Sequence, residues 1–286
     1  MDKLWRLVAL TRRELIESGL VTGVIAGYAM AVQPVMAQTM IVTEPTGLDA
    51  GTVQIPVGSE SIAAFRAIPS GAKSRPLILV VHEIFGVHEH IKDICRRLAK
   101  LGYCAIAVDL YQRQGDVSRV ASIDQIRPIV AKVADEQVIG DLDAAVSWAV
   151  KQGIADESKL GITGFCWGGR FVWLYAAHNP EVKAGVAWYG QLVGEKTESK
   201  PTYPVDVATQ IQGAVLGLYG GADAGIPVDT VEQMRKALGP NSKSQLHVYP
   251  GAPHAFFADY RPSYRKEAAE DGWKRATEWF KAHGVS

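Results

Sequence analysis

The sequence predicts an α/β fold, a mostly parallel central sheet with helices on both faces. Three observations carry this. Apolar runs at residues 76–82 and 103–108 are continuous rather than alternating, the mark of strands buried on both faces. Segments of helical period separate such runs, so strand and helix alternate along the chain. The chain has 286 residues, 48% hydrophobic and 21% charged, and can bury one large core.

The elements follow in order. Residues 52–57 and 61–68 alternate polar and apolar and read as an antiparallel edge pair. The apolar run 76–82 is the first buried strand, and a helix over about 90–101 follows it, ending at Gly102. Residues 103–108 form the next strand, closed by Asp109. One or two helices cover 123–151. Residues 160–164 are a strand, and 167–178 a helix stopped by Asn179-Pro180. Strands at 182–188, 214–219 and 245–249 and helices at 228–238 and 263–283 complete the pattern. The polar stretch 194–204 reads as a surface loop.

Lys plus Arg and Asp plus Glu are 30 each, so no net positive field exists to attract phosphates, and a dedicated nucleic-acid binder is excluded. Three cysteines exclude a disulfide framework. Cys95 and Cys104 fall on a helix and the strand after it. They read as buried free thiols, although their placement also permits contact.

Residues 1–37 do not read as fold. Lys3, Arg6, Arg12 and Arg13 precede the charge-free apolar stretch 19–32, and Val35 and Ala37 supply residues for cleavage after Ala37. Arg12-Arg13 before a Gly-containing core gives this segment the look of a twin-arginine export signal. The expectation is a periplasmic or secreted domain, 38–286, with no stable membrane insertion once the signal is removed. The alternative is an uncleaved anchor, because the charge-free run 18–43 is long enough to span a bilayer.

The strongest local signal is Gly164-Phe165-Cys166-Trp167-Gly168-Gly169, between a strand and a helix. This is the nucleophile-elbow pattern, with Cys166 as the nucleophile. The turn is so tight that a Cβ at the flanking glycines would strike backbone. The helix behind it aims N–H groups at the site, which favours a thiolate and an oxyanion. Two later segments join it. Asp223 follows the strand 214–219, and His254 follows the strand ending at 249. The chain order Cys166, Asp223, His254 is the nucleophile, acid, base order of the α/β-hydrolase fold. The imidazole would take the thiol proton and Asp223 would fix its tautomer. Taken singly, these are a buried cysteine, a turn aspartate and a surface histidine; taken together in this order after strands, they are a catalytic set.

The chain resembles the dienelactone hydrolase (carboxymethylenebutenolidase) family over nearly all of 38–286. The segments that carry the resemblance are His82-Glu83-Ile84-Phe85-Gly86, Asp109-Leu110-Tyr111-Gln112-Arg113-Gln114, the elbow, Gly221-Ala222-Asp223, and the stretch from His254 to Pro262. The resemblance implies hydrolysis of a lactone or ester bearing a carboxylate, through an acyl-enzyme on Cys166. It also implies that Glu83 contacts the resting thiol, that Arg113 binds the substrate carboxylate, and that the N–H groups of Ile84 and Trp167 form the oxyanion hole. Tyr111 and Tyr189, each beside a strand end, are expected to line the pocket. The family's second carboxylate-binding arginine lies four residues after the catalytic histidine, where this chain has Ala258. Arg261, three residues later, either replaces it or caps the last helix.

A zinc-protease reading of His82-Glu83 fails, because Gly86 stands where a second histidine is needed. His88 and His90 read as exposed polar residues at a helix start. No Walker A or dinucleotide fingerprint is present, so no metal and no cofactor are expected. The expected partner is a small-molecule ester or lactone. The competing readings are a broad carboxylesterase or thioesterase and a non-catalytic secreted binding protein of the same fold.

Overall fold

The computed structural model describes residues 41–117, 120 and 122–286. The expected export signal lies outside the described residues. Eight strands form one sheet: β1 (Leu48–Val57), β2 (Glu60–Pro69), β3 (Arg75–Val81), β4 (Cys104–Val108), β5 (Ala155–Phe165), β6 (Val182–Trp188), β7 (Ala214–Gly220) and β8 (Gln245–Tyr249). Their spatial order is β1-β2-β4-β3-β5-β6-β7-β8. β1, β2 and β4 are joined antiparallel and every later pairing is parallel, as the sequence predicts.

The helices are α1 (Glu89–Lys100), α2 (Ile123–Val130), α3 (Asp135–Lys151), α4 (Trp167–His178), the short α5 (Pro204–Val207), α6 (Val228–Leu238) and α7 (Lys266–Ala282). They cover both faces of the sheet. On β5, a Cβ added at Gly161 would meet Phe280 and Val285, in and just beyond α7, whereas one at Gly164 would meet Gly168 and Val172 of α4. Successive strand residues point to opposite faces, so these two helices lie on opposite sides. This explains why Leu77–Val81 and all of β4 are buried without alternation.

Several boundaries differ from expectation, β1 beginning four residues early at Leu48 among them, and two have a visible cause. β5 begins five residues early, because Ala155 and Asp156 pair with Arg75 and Pro76 across a register shift. α7 begins at Lys266 rather than at Ser263, because Tyr264 and Arg265 donate backwards to Arg261 and Phe256.

The topology fixes where a site can form. From β3 the chain crosses to β4 on one side, then returns to β5 on the other. Loops leaving β3 and β5 therefore part at a switch point, where open α/β sheets leave a crevice beyond the strand ends. The register aligns these ends: Val81 lies opposite Gly164, Phe165 opposite Trp188, and Gly220 opposite Tyr249. No helix among the described residues is long and apolar enough to cross a membrane.

Candidate active site

Cys166 joins β5 to α4 with a positive φ of 53°, a conformation that strains any residue with a Cβ. Bonds on both sides hold it there. Its N–H donates to the Trp188 carbonyl at 3.0 Å, and its carbonyl accepts from Gly169 N–H at 3.0 Å. The flanking glycines are required by close approach. A Cβ at Gly164 would sit 2.4 Å from the Gly168 carbonyl oxygen, and one at Gly168 would sit 2.4 Å from that of Val81. The elbow therefore presses the start of α4 against the end of β3, and the thiol is only 4% exposed.

The ends of β7 and β8 supply its neighbours. After β7 the chain is tied to the β8 turn, Gly221 N–H donating to Tyr249 and Ala222 N–H to Ala252. This leaves Asp223 buried. Its Oδ1 accepts from the N–H groups of Gly225 and Ile226 at 2.9 and 3.2 Å. Its Oδ2 accepts from His254 Nδ1 at 2.6 Å. Burial by itself would lower the imidazole pKa. The charges of Asp223 and Cys166, and hydrogen bonds to both, outweigh it and raise the pKa well above 6.5. Asp223 thus orients the His254 imidazole, and Cys166 lies near enough for its charge to act on the same ring. Tyr189, at a positive φ of 38°, sets its ring edge-on to His254 at 5.1 Å.

Glu83 emerges at the end of β3 and is buried. Its Oε1 accepts from the Tyr260 hydroxyl, pairs with His88 Nε2 at 2.8 Å and faces Arg261 Nη2 at 3.9 Å. Burial alone would raise its pKa. The His88 hydrogen bond and the charges of Arg261, His88 and His90 instead hold it far below the usual carboxylate range. Glu83 is an ionised carboxylate with partners other than the thiol.

Arg261 is not a helix cap. Its guanidinium is buried against the rings of Phe85 at 4.4 Å and Tyr260 at 4.7 Å. Among the described residues its Nε and Nη1 have no hydrogen-bond partner. The fields of Glu83, Tyr260 and Cys166 all stabilise its charge against the cost of burial. Ala258 is fully buried and offers no such group.

Arg113 is placed differently from expectation. Its Nη2 donates to both oxygens of Asp141 in α3, at 2.5 and 2.7 Å. Burial pushes the Asp141 carboxyl up to about 6 against the pull of Arg113. A buried carboxylate on the neighbouring helix thus claims the guanidinium that the sequence assigned to substrate. Tyr111 is also turned inward, its ring 4.7 Å from His82 and 4.9 Å from Trp167. It forms part of the wall behind the elbow.

The reading of His88 and His90 as exposed residues is corrected. His88 is the hydrogen-bond partner of Glu83, and His90 is 2% exposed beside Asp259. The signal available in the sequence was the apolar setting of His90, one turn before Ile94. Tyr260 was missed as a partner of Glu83, because only the tertiary fold joins the β3 end to the segment after His254. Cys95 and Cys104 are free, buried thiols. Among the described residues, no group of three or more His, Cys, Asp or Glu is arranged to hold a metal ion.

A family model described as the dienelactone hydrolase family matches residues 62–284. The chain belongs to the dienelactone hydrolase family. It is 59% identical over 279 residues to a Methylorubrum extorquens protein named "Putative carboxymethylenebutenolidase", covering 97% of this chain and 94% of that one. A protein of the same name from Escherichia coli K12 is 52% identical over 262 residues, 91% of this chain and 96% of the relative. Among solved structures, one titled a "Putative Dienelactone Hydrolase" from Klebsiella pneumoniae is 54% identical with a TM-score of 0.79, covering 82% of this chain and 98% of that one. An acylaminoacyl peptidase of Pyrococcus horikoshii, 14% identical with a TM-score of 0.67, covers 84% of this chain and 42% of that one and shares the fold alone. The dienelactone hydrolase fold is the α/β-hydrolase fold the sequence predicts, and the protein is an ester hydrolase of this family.

Proposed function

We propose that this dienelactone hydrolase relative opens a carboxylate-bearing lactone or ester through a thioester on Cys166. The observation that carries the reading is the buried Asp223–His254 hydrogen bond, whose imidazole feels the charge of Cys166 at the elbow, beside a buried Arg261 with unfilled donors. The substrate carboxylate pairs with Arg261, since a guanidinium holds a carboxylate by parallel hydrogen bonds. His254 takes the thiol proton. The thiolate forms a bond to the carbonyl carbon, and the displaced electron pair rests on the carbonyl oxygen. N–H groups of Ile84 and Trp167 stabilise that oxyanion. When the carbonyl reforms, the ring C–O bond breaks and the leaving oxygen takes the proton from His254. Water then adds to the thioester, giving its proton to His254. The C–S bond breaks, a second carboxylate is released, and the thiol regains its proton.

The curated relatives' names suggest the substrate class, and the ionised Glu83 suggests how the thiol is controlled. Glu83 and a substrate carboxylate compete for one guanidinium. When the substrate takes Arg261, Glu83 loses a positive neighbour and its pKa rises, so substrate binding changes the field on the thiol whose proton His254 takes.

The test is the mass of the enzyme quenched during turnover. A thioester adduct is expected on the peptide that holds Cys166, and Cys166→Ala is expected to lose turnover by roughly four orders of magnitude or more. Iodoacetamide should label Cys166 and spare Cys95 and Cys104, whose thiols burial pushes up, Cys104 to about 12. Full activity in Cys166→Ala would refute the reading.

We also propose that residues 1–37 direct export through a twin-arginine route to the periplasm. Arg12-Arg13 ahead of the apolar stretch supports this. The N-terminal sequence of the exported protein tests it: a start at Gln38 is expected, and an intact Met1 means an uncleaved anchor.

A further inference from the structure

We propose that His82 is a positioning residue, a neutral imidazole that orients and polarises the Glu83–Ile84 peptide bond so that the Ile84 N–H faces the developing oxyanion. This rests on the reaction proposed above and adds a residue to it. The sequence offered His82 only as a metal ligand, a role that Gly86 removes.

The hydrogen bonds leave the ring one arrangement. The Leu110 N–H can only donate, and it donates to His82 Nε2 at 3.2 Å. Nε2 must therefore carry a lone pair, and the single ring proton sits on Nδ1. From there it is donated to the Glu83 carbonyl at 2.7 Å. The same carbonyl also accepts from Gly86 N–H at 3.1 Å. Glu83 C=O and Ile84 N–H are opposite ends of one planar amide. Fixing the carbonyl fixes the direction of the N–H, and a donor on the carbonyl makes the N–H a stronger donor through cooperative polarisation.

The ring also braces the second oxyanion donor. It is stacked on Trp167 with centroids 5.5 Å apart and planes 12° apart, and Tyr111 packs edge-on against both rings, 4.7 Å from His82 and 4.9 Å from Trp167. Trp167 is the residue after the nucleophile. One side chain thus touches both elements that supply oxyanion donors, at the seam where α4 meets the end of β3. Its neutrality is also secured. Burial lowers its pKa to about 4, and the nearby charges of His88 and Glu83 act in opposite directions. At neutral pH the ring keeps both a donor and an acceptor.

The experiment compares two reactions of one thiol. Ester acylation forms an oxyanion, whereas alkylation by iodoacetamide does not, so only the first needs the Ile84 N–H. His82→Phe keeps a stacked ring without hydrogen bonds. His82→Asn restores a donor near Nδ1. In single-turnover assays with a neutral nitrophenyl ester, His82→Phe is expected to lose roughly 10- to 100-fold in acylation rate, less than the removal of a whole oxyanion donor. Its alkylation rate at Cys166 and its substrate KM stay within about twofold, a margin set well below that loss. His82→Asn should regain most of the acylation rate. A wild-type acylation rate in His82→Phe, or equal losses in acylation and alkylation, overturns the proposal. If iodoacetamide fails to inactivate the wild-type enzyme, the Cys166 reading is what has failed. Should the variants not fold, nitrogen NMR of the wild-type protein decides. The His82 resonances, assigned through contact with the Leu110 amide, should show a proton on Nδ1 alone at pH 7. A proton on Nε2 overturns the proposal.

Discussion

Glu83 and Arg261 face each other beneath the surface with 3.9 Å between Oε1 and Nη2, each side chain 3% exposed. The pair is not closed. Tyr260 and His88 hold the carboxylate, and two nitrogens of the guanidinium are unfilled among the described residues. A buried cation with spare donors has the chemistry to bind a second carboxylate, which is the role proposed for Arg261.

Arg261→Ala is therefore expected to separate two kinds of substrate. The kcat/KM for a carboxylate-bearing lactone should fall about 100-fold or more, the scale of a lost charged hydrogen bond of roughly 3 kcal/mol. Neutral nitrophenyl esters should change by less than about threefold, since their chemistry does not use the guanidinium. Steady-state kinetics on both substrates checks this, and equal losses would assign Arg261 to structure alone.

Glu83→Gln removes the negative charge beside the site while keeping its shape. The variant is expected to fold and to turn over more slowly, and its Cys166 should alkylate faster in the absence of substrate, because the charge that discourages a thiolate is gone. Alkylation rates measured from about pH 5 to 9, bracketing ordinary thiol titration, report the change. Identical profiles in variant and wild type would remove Glu83 from control of the nucleophile.

Arg113→Ala should behave as a structural substitution. It leaves Asp141, a carboxylate 1% exposed, without its bidentate partner. The arginine is a quarter exposed, which discounts the loss to about 1–2 kcal/mol. Urea denaturation should show that loss, and carboxylate-bearing and neutral substrates should decline together. A selective loss on anionic substrates would restore Arg113 to the binding site.

Acid should destabilise the fold well above pH 4. His82 has its pKa lowered from 6.5 to about 4, chiefly by burial. The unfolded chain thus binds this proton at a higher pH than the native state does. The His82 contribution is complete above pH 6.5 and falls as pH drops toward 4, by up to about 3 kcal/mol. Glu83, held low in the native state, adds a loss of the same sign at more acid pH. His254, whose pKa is raised, acts in the opposite direction above pH 6.5, so the readout is the His82 share. The fall in stability from about pH 6.5 to about pH 4.5 should be smaller in His82→Gln, which cannot titrate, and an unchanged fall would remove His82 from the acid response.

Sequence by itself determined the alternation of strands and helices, the antiparallel edge pair, the elbow at Cys166 and the order of Asp223 and His254. These are legible because they rest on local chemistry. Strands buried on both faces must be apolar throughout, a tight strand-to-helix turn excludes Cβ atoms, and turns after parallel strands open on one edge. Tertiary structure decided which charged groups pair. Arg113 and Arg261 both follow strand ends in plausible binding positions. Only the packing of α3 against the sheet brings Asp141 to Arg113, and only the fold of the segment after His254 brings Tyr260 and Arg261 to Glu83. Charge pairing depends on distances between segments remote in sequence and on which groups lose water. Neither is encoded in the spacing of residues along the chain.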